Sequence, residues 1–342
     1  MKRLSRFNKI VFAVNWALAT LLLLACLATY IPADIFPYFG LLGIIVPLLV
    51  YANLGFVLYW ILLWNRRALI SSLLLVLAYF SLGSFVKLKP SDDALKPEDL
   101  KVMSFNVSDF WWGNGGDREN QFENVLDIVA KENPDILCFQ EVDYRKRDKF
   151  KEYPYRHLNY IHKGKRALLG IFSKYPIINE GTLDWPDTEN NGAFVDIKYK
   201  NDTIRIYNLH LESFGFHPQI RRIPNDVSGR LFLRLSRTFK KQAEEARLFL
   251  KHRNAVPYKT IVSGDFNNTQ FSYVYKLIKG EMSDSYMEKG SGYGRTYQSL
   301  RFPFRIDYIM ADPQFEVTGH KNYDVRFSDH FPVMASFRLQ EH

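Results

Sequence analysis

Three apolar stretches open the chain. Residues 10–31, 38–64 and 68–86 contain no Asp, Glu, Lys, Arg or His. Crossing a bilayer takes about 20 apolar residues, so this pattern predicts three transmembrane helices forming an anchor over residues 1–89. A polar linker, 90–99, holds Pro90 and Pro97. Beyond it short apolar runs alternate with helical spacing. Lys101–Val107 and Asp135–Val142 predict buried strands. Between them Phe122, Val125, Ile128 and Val129 recur at helical intervals, with Pro134 as the stop. Ala193–Tyr199 and Thr203–Leu209 alternate around Asn201-Asp202, a hairpin pattern. Arg230–His252 predicts a long amphipathic helix with Phe232, Leu235, Phe239, Ala243, Ala246 and Phe249 along it, and Thr260–Ser263, Phe304–Met310 and Val333–Leu339 predict further strands. Residues 100–342 therefore read as one α/β domain of two packed mixed sheets flanked by helices.

Charge changes the picture by its distribution. Residues 1–89 carry eight basic residues and one acidic residue, Asp34, while the remaining 37 basic and 35 acidic residues nearly cancel, so most of the net +9 belongs to the anchor. The high pI is then no argument for nucleic-acid binding. Lys2, Arg3, Arg6 and Lys9 precede the first span, and Arg66 and Arg67 join the second to the third. Positive loops stay cytoplasmic. The N-terminus is expected in the cytoplasm of a bacterial cell with the spans in its inner membrane, and the second domain on the periplasmic or extracellular side. Tyr30, Tyr59, Trp60 and Trp64 sit near span ends, where aromatic rings favour the headgroup layer.

Leu23-Leu24-Ala25-Cys26 loosely resembles a lipoprotein cleavage site. The apolar run continues past it, whereas a signal core usually spans about 7–15 residues, so lipidation at Cys26 is not favoured. Cys26 and Cys138 are not expected to pair. The spans hold only Asn15, Asn53, Ser71 and Ser72 as polar residues worth weighing, and an ion or proton pathway usually needs an ionisable one. An anchor is the better account.

In the second domain, apolar runs end in chemistry-bearing side chains. Asn106 closes Val102-Met103-Ser104-Phe105-Asn106, and Glu141 closes Ile136-Leu137-Cys138-Phe139-Gln140-Glu141. His210 lies in Asn208-Leu209-His210, Asp265 and Asn267 in Gly264-Asp265-Phe266-Asn267, Asp307 in Asp307-Tyr308, and Asp329 and His330 in Ser328-Asp329-His330. Each has an ordinary explanation taken alone: a turn, a satisfied core histidine, a strand-entry cap, or an ion pair between Asp307 and Arg305. All of those explanations would have to hold together, in one order.

That ordered set resembles the endonuclease/exonuclease/phosphatase superfamily, over about Lys101–Leu339. The superfamily includes pancreatic DNase, apurinic endonucleases, neutral sphingomyelinases, deadenylases and inositol-polyphosphate phosphatases. The resemblance implies a four-layered α/β sandwich and metal-dependent hydrolysis of phosphate esters. It implies Mg²⁺, with Mn²⁺ able to substitute, held by Glu141 with Asn106 and Asp329. Asp265 or His330 would be the base, Asp307 would orient His330, and Asn267 and His210 would donate to the phosphoryl oxygens.

Asn208-Leu209-His210-Leu211 resembles the Asn-x-His-Leu-like motif of the DNases, sphingomyelinases and deadenylases, and that resemblance favours a phosphodiesterase. The Arg301–Asp307 segment lacks the Pro-Ala-Trp-Cys-Asp-Arg motif of the inositol-polyphosphate phosphatases, which lowers that alternative. The anchor concentrates the site at a bilayer and points to a phospholipid headgroup, with DNA or RNA as the alternative substrate. Trp111 and Trp112 could meet lipid or base. Arg221–Arg253 holds ten basic and three acidic residues and could meet anionic headgroups or a nucleic-acid backbone. The Ser213–Gly229 loop is a candidate specificity segment. An inactive, membrane-tethered binding module would lack Glu141, Asp265 or His330, and all three are present. The expected partners are the bilayer and a phosphodiester substrate; no protein partner is inferable.

Overall fold

The computed structural model describes residues 4–84, 86–88, 95–96, 98–110, 117–159, 168–183, 185–188, 190–215, 227–298 and 303–340. The chain forms two compact units: Met1–Phe85 with Asp226–Ala243 and Asn268–Leu277, and Val86–Asn225 with Glu244–Asn267 and Ile278–His342. Two segments that the sequence pattern places in the C-terminal domain thus cluster with the apolar helices.

In the first unit, α1 (Arg6–Ala28) starts at a Ser5 cap, α2 (Gly40–Leu62) follows a tight turn at Pro37–Phe39, and α3 (Ala68–Leu82) closes the set. Leu22, Ala25, Cys26, Val46, Leu49, Ala78, Leu82 and Phe271 pack together. The few polar residues bond one another. Trp60 Nε1 donates to Asn15 Oδ1 (2.9 Å), Asn15 Nδ2 to Ser71 Oγ (2.6 Å) and Ser71 Oγ to Asn53 Oδ1 (2.8 Å), all buried and drawn from all three helices. A polar group spent this way carries no desolvation penalty of its own.

Among the described residues, two helices are long and apolar enough to cross a membrane, Arg6–Ala28 and Pro37–Leu62. The third differs from expectation. Its apolar letters run to Val86, but the helix stops at Leu82, where Gly83 turns to φ 75°. Fifteen residues span about 22 Å at 1.5 Å each, short of the roughly 30 Å hydrocarbon core.

The ends of this helix set differ in character. At one, Tyr59 donates to Asn8 (2.6 Å) and the Arg67 guanidinium lies over the Phe12 ring (4.8 Å). At the other, Thr269 Oγ1 donates to the Gly43 carbonyl (3.1 Å), Gln270 Nε2 to the Ser84 carbonyl (3.1 Å), and Tyr38 stacks on Phe232 (4.6 Å). Arg67 thus lies at one end and the returning C-terminal segments at the other.

The second unit holds twelve strands among the described residues: β1 (Leu100–Asn106), β2 (Ile136–Gln140), β3 (Tyr155–Asn159), β4 (Leu169–Ser173), β5 (Ile177–Thr182), β6 (Asn191–Tyr199), β7 (Asp202–His210), β8 (Lys259–Asp265), β9 (Ser283–Asp284), β10 (Asp307–Ala311), β11 (Phe315–Asn322) and β12 (Val333–Leu339). They form two mixed sheets, ordered β11-β12-β1-β2-β4-β3 and β5-β6-β7-β8-β10-β9. Period-two alternation sends Leu100, Val102, Ile136 and Cys138 of one sheet and Val195, Ile206 and Ile261 of the other into a shared core. Met103, Phe105, Leu137 and Phe139 face the other way, onto Phe122, Val125 and Val129 of α4 (Arg118–Glu132). Asn133 ends α4 in the left-handed conformation just before Pro134. The long amphipathic helix is α5 (Val227–Arg253), with two short helices later, α6 (Tyr273–Lys279) and α7 (Ser285–Lys289).

β1 and β2 are parallel, with α4 between them in the chain; β7 and β8 are parallel, with α5 between them. A helical crossover returns the chain to the same edge, so the C-terminal ends of paired strands share a rim. Asn106 lies opposite Gln140, and His210 opposite Asp265. Antiparallel β10 begins at that rim, with Asp307 opposite Asp265.

Candidate active site

Asp265 is the centre of the rim. Its Oδ2 accepts from Asn106 Nδ2 (3.1 Å) and lies 3.6 Å from both His210 Nε2 and His330 Nε2, while Oδ1 accepts from the Asn267 backbone N–H (2.8 Å). Gly264, just before it, has φ 139°, and a Cβ there would lie 1.9 Å from the Leu209 carbonyl oxygen. Only glycine lets β8 run this close to β7.

Burial pushes the Asp265 carboxyl up to about 6, although the neighbouring imidazoles pull it down. Burial is also the largest influence on His330 and opposes its charge; the carboxylates of Asp307 and Asp265 outweigh it and hold His330 well above the ordinary histidine range. His210, equally buried, is lowered: burial wins over the Asp265 charge.

His330 Nδ1 donates to both oxygens of Asp307, at 3.1 and 3.0 Å. The Tyr297 ring lies 4.8 Å from the imidazole. Arg305 does not pair with Asp307. Its guanidinium bonds Asp284 at 2.7 and 3.0 Å and lies over Tyr286 and Tyr308.

Glu141 follows β2 at φ 53°, a left-handed turn that aims its carboxylate at the same rim. Its Oε1 accepts from Asn106 Nδ2 (3.2 Å) and lies 3.7 Å from His210 Nε2, and its side chain is about one-third exposed. Asn106 Oδ1 accepts from the Ser108 N–H (3.0 Å). Asn267 Nδ2 donates to the Leu211 carbonyl (2.9 Å). Asp329 Oδ1 accepts from Ser328 Oγ (3.2 Å). Asn106, Glu141, His210, Asp265, Asp307 and His330 are thus joined by contacts of 3.0–3.7 Å. Asn267 and Asp329 are adjacent to this set in the chain, with their side chains bonded as above.

The donors suit a hard divalent cation. Glu141, about one-third exposed, presents a carboxylate oxygen beside the Asn106 carboxamide, and oxygen donors of this kind prefer Mg²⁺ or Mn²⁺ to softer metals. Asp265, Asp307 and His330 also place one ligand atom each within 4.8 Å of one another. There, however, Asp307 and Asp265 favour the protonated imidazole, which has no lone pair for a metal and suits proton handling better than ligation.

Two supporting residues have no role apparent from the sequence, although Ser328 belongs to the Ser328-Asp329-His330 run. Thr296 Oγ1 accepts from the backbone N–H groups of Ile306 (2.9 Å) and Asp307 (3.0 Å), and its carbonyl accepts from Phe331 (2.8 Å), so it clasps both segments that carry the His330–Asp307 pair. Ser328 Oγ donates to the Asn106 carbonyl (2.8 Å). Beneath the rim, Gln140 Nε2 donates to Asn208 Oδ1 (2.6 Å), and Asn208 Nδ2 to the carbonyls of Phe139 and Gly170, tying the two sheets together. Trp111, Trp112, residues 216–226 of the specificity loop, Pro90, Pro97, Arg301 and Phe302 lie outside the described residues.

Solved structures match with this fold. One is an endonuclease/exonuclease/phosphatase family protein of Bacteroides thetaiotaomicron (20% identity, 72% of this chain and 100% of that one, TM-score 0.53). A second is a mannosyl-6-phosphatase of the same species (20%, 70% and 100%, 0.52). A third is TDP2 of D. rerio complexed with a single-strand DNA product (15%, 70% and 99%, 0.53). At these identities the likeness is one of fold. No curated protein matches. Residues 8–85 match a domain of unknown function. The profile of the Endonuclease/Exonuclease/phosphatase family matches residues 103–330, about two-thirds of the sequence and the whole span from β1 to His330, so this chain belongs to the endonuclease/exonuclease/phosphatase family.

Proposed function

We propose that the chain is a membrane-anchored, Mg²⁺-dependent phosphodiesterase whose substrate is a phospholipid headgroup ester. The observation that carries the chemistry is the convergence on Asp265 of Asn106, His210 and His330, within 3.6 Å, with Glu141 beside them. Glu141, Asn106 and Asp329 would hold the cation, which when bound offsets the negative charge of the phosphodiester. Asp265 and His330 face each other across 3.6 Å, and with His330 protonated the ionised Asp265 carboxylate would take the proton of the attacking water. Asp307 fixes the imidazole so that Nε2 faces Asp265. His210 Nε2 and the second hydrogen of the Asn267 amide would donate to the oxygens on which charge builds up.

The lipid assignment is supported by the two apolar helices long enough to cross a bilayer. Orientation is supported by the helix ends: Arg6, Lys9, Arg66 and Arg67 belong on the cytoplasmic side, and Asn268–Leu277 packs at the other. The fold itself does not choose a substrate, since its matches include a sugar phosphatase and a protein with a DNA product. The test is hydrolysis of bis(p-nitrophenyl) phosphate by the full-length protein in lipid nanodiscs. Activity abolished by EDTA, restored by Mg²⁺, and lost in Glu141→Gln is expected. Hydrolysis indifferent to EDTA, or faster on the monoester, contradicts the reading.

A further inference from the structure

The first half of α5, Val227–Ala243, belongs to the unit of the apolar helices. Its composition is that of a helix lying on a surface. Leu235, Thr238, Phe239, Gln242 and Ala243 are buried. Phe239 packs so tightly under Gly40 that a Cβ there would meet its ring at 2.6 Å, and Gln242 Oε1 accepts from Asn268 Nδ2 (2.7 Å). The other side is exposed and mixed: Phe232 (46%) and Leu233 (55%) beside Arg234, Arg237 and Lys240. This half-helix contains no acidic residue.

Two large apolar side chains in water next to three cations are unfavourable for a soluble surface and favourable at a membrane interface. There the rings enter the acyl boundary and the cations reach anionic headgroups. The neighbours set the same level. Phe232 stacks on Tyr38, in the turn that leads into α2, where Ile35 (73%) and Phe36 (45%) are also exposed. The Lys276 ammonium lies over the ring of Tyr30, just past the end of α1. Aromatic and basic side chains so placed at the ends of apolar helices form a headgroup-level belt.

We infer that the first half of α5 is an in-plane membrane helix. Its Phe232 and Leu233 enter the leaflet opposite the cytoplasm, and Arg234, Arg237 and Lys240 bind the phosphates of anionic lipids. The inference rests on the membrane reading of α1 and α2. It makes the substrate-bearing leaflet, rather than the transmembrane segments alone, a contact surface of the enzyme.

The test is a spin label on the full-length protein, reconstituted in phosphatidylcholine vesicles with and without phosphatidylglycerol. Leu233→Cys reports the helix, Leu48→Cys in α2 reports the span, and exposed Lys198→Cys reports water. Both native thiols are buried and should not compete for label. The label at 233 should be shielded from a water-soluble nickel chelate and accessible to oxygen. Shielding should be stronger with phosphatidylglycerol and lost in R234E/R237E. A label at 233 as open to nickel as the one at 198, or shielding unaffected by lipid charge and by R234E/R237E, overturns the inference. Shielding at 48 distinguishes that failure from failure of the membrane reading, in which 48 would also be open to nickel.

Discussion

His330 donates through Nδ1 to Asp307, with both carboxylate oxygens at 3.0–3.1 Å, while the nearer neighbour in sequence, Arg305, bonds Asp284 instead. Asp307 is therefore a partner of the imidazole and not half of a structural ion pair. Its contact sets the other ring nitrogen toward Asp265.

A pair that acts as a unit is non-additive on mutation. His330→Ala should lower kcat on a diester by at least roughly 10²-fold, the usual loss for a positioned acid–base group. Asp307→Asn, which keeps shape and loses charge, should cost less. The double variant should be no slower than His330→Ala alone. Multiplicative losses, measured on protein of unchanged circular dichroism, would mean that the two act separately.

The pH profile follows from the same contact. The active form has Asp265 ionised and His330 protonated. Activity should rise with pH as Asp265 loses its proton near 6 and fall again where the imidazolium, held well above the ordinary range, loses its own. Removing the Asp307 charge favours the ionised carboxylate and disfavours the imidazolium. Both limbs of the Asp307→Asn profile should therefore move to lower pH. The two limbs belong to the pair, not to single residues. Limbs that stay in place would remove Asp307 from the account.

Thr296 should matter without touching the reaction. Thr296→Val leaves two buried backbone N–H groups, of Ile306 and Asp307, without their acceptor. Each unsatisfied group costs about 1–3 kcal/mol, so thermal stability should drop and kcat should fall more than KM rises. Thr296→Ser keeps the acceptor and should recover both. A Ser variant as impaired as Val would assign the effect to packing.

The candidate site was legible because four of its residues end apolar runs. Asn106, Glu141, His210 and Asp265 stand at the ends of β1, β2, β7 and β8, and the parallel pairing of those strands collects them. Thr296 was not legible, since a threonine in a loop looks like any turn, and Ser328 was visible only as the first letter of the Ser-Asp-His run, without its bond to the Asn106 carbonyl. The third apolar stretch read as a span because hydropathy continues to Val86, but Gly83 ends the helix four residues after Tyr79, whose carbonyl takes the Gly83 N–H. β4 escaped as a five-residue strand buried throughout, without alternation, and β5 as an edge strand with none of its residues buried. That Asp226–Ala243 and Asn268–Leu277 join the apolar helices is a tertiary fact with no local pattern behind it.

The most direct measurement of the central claim is product release by full-length protein in nanodiscs, given vesicles of different phospholipid headgroups, single- and double-stranded DNA, and RNA in parallel, with Asp265→Asn as the blank. The account predicts Mg²⁺-dependent headgroup cleavage from at least one lipid, absent in Asp265→Asn, with the nucleic acids intact. Cleavage of DNA or RNA with every lipid inert would contradict it.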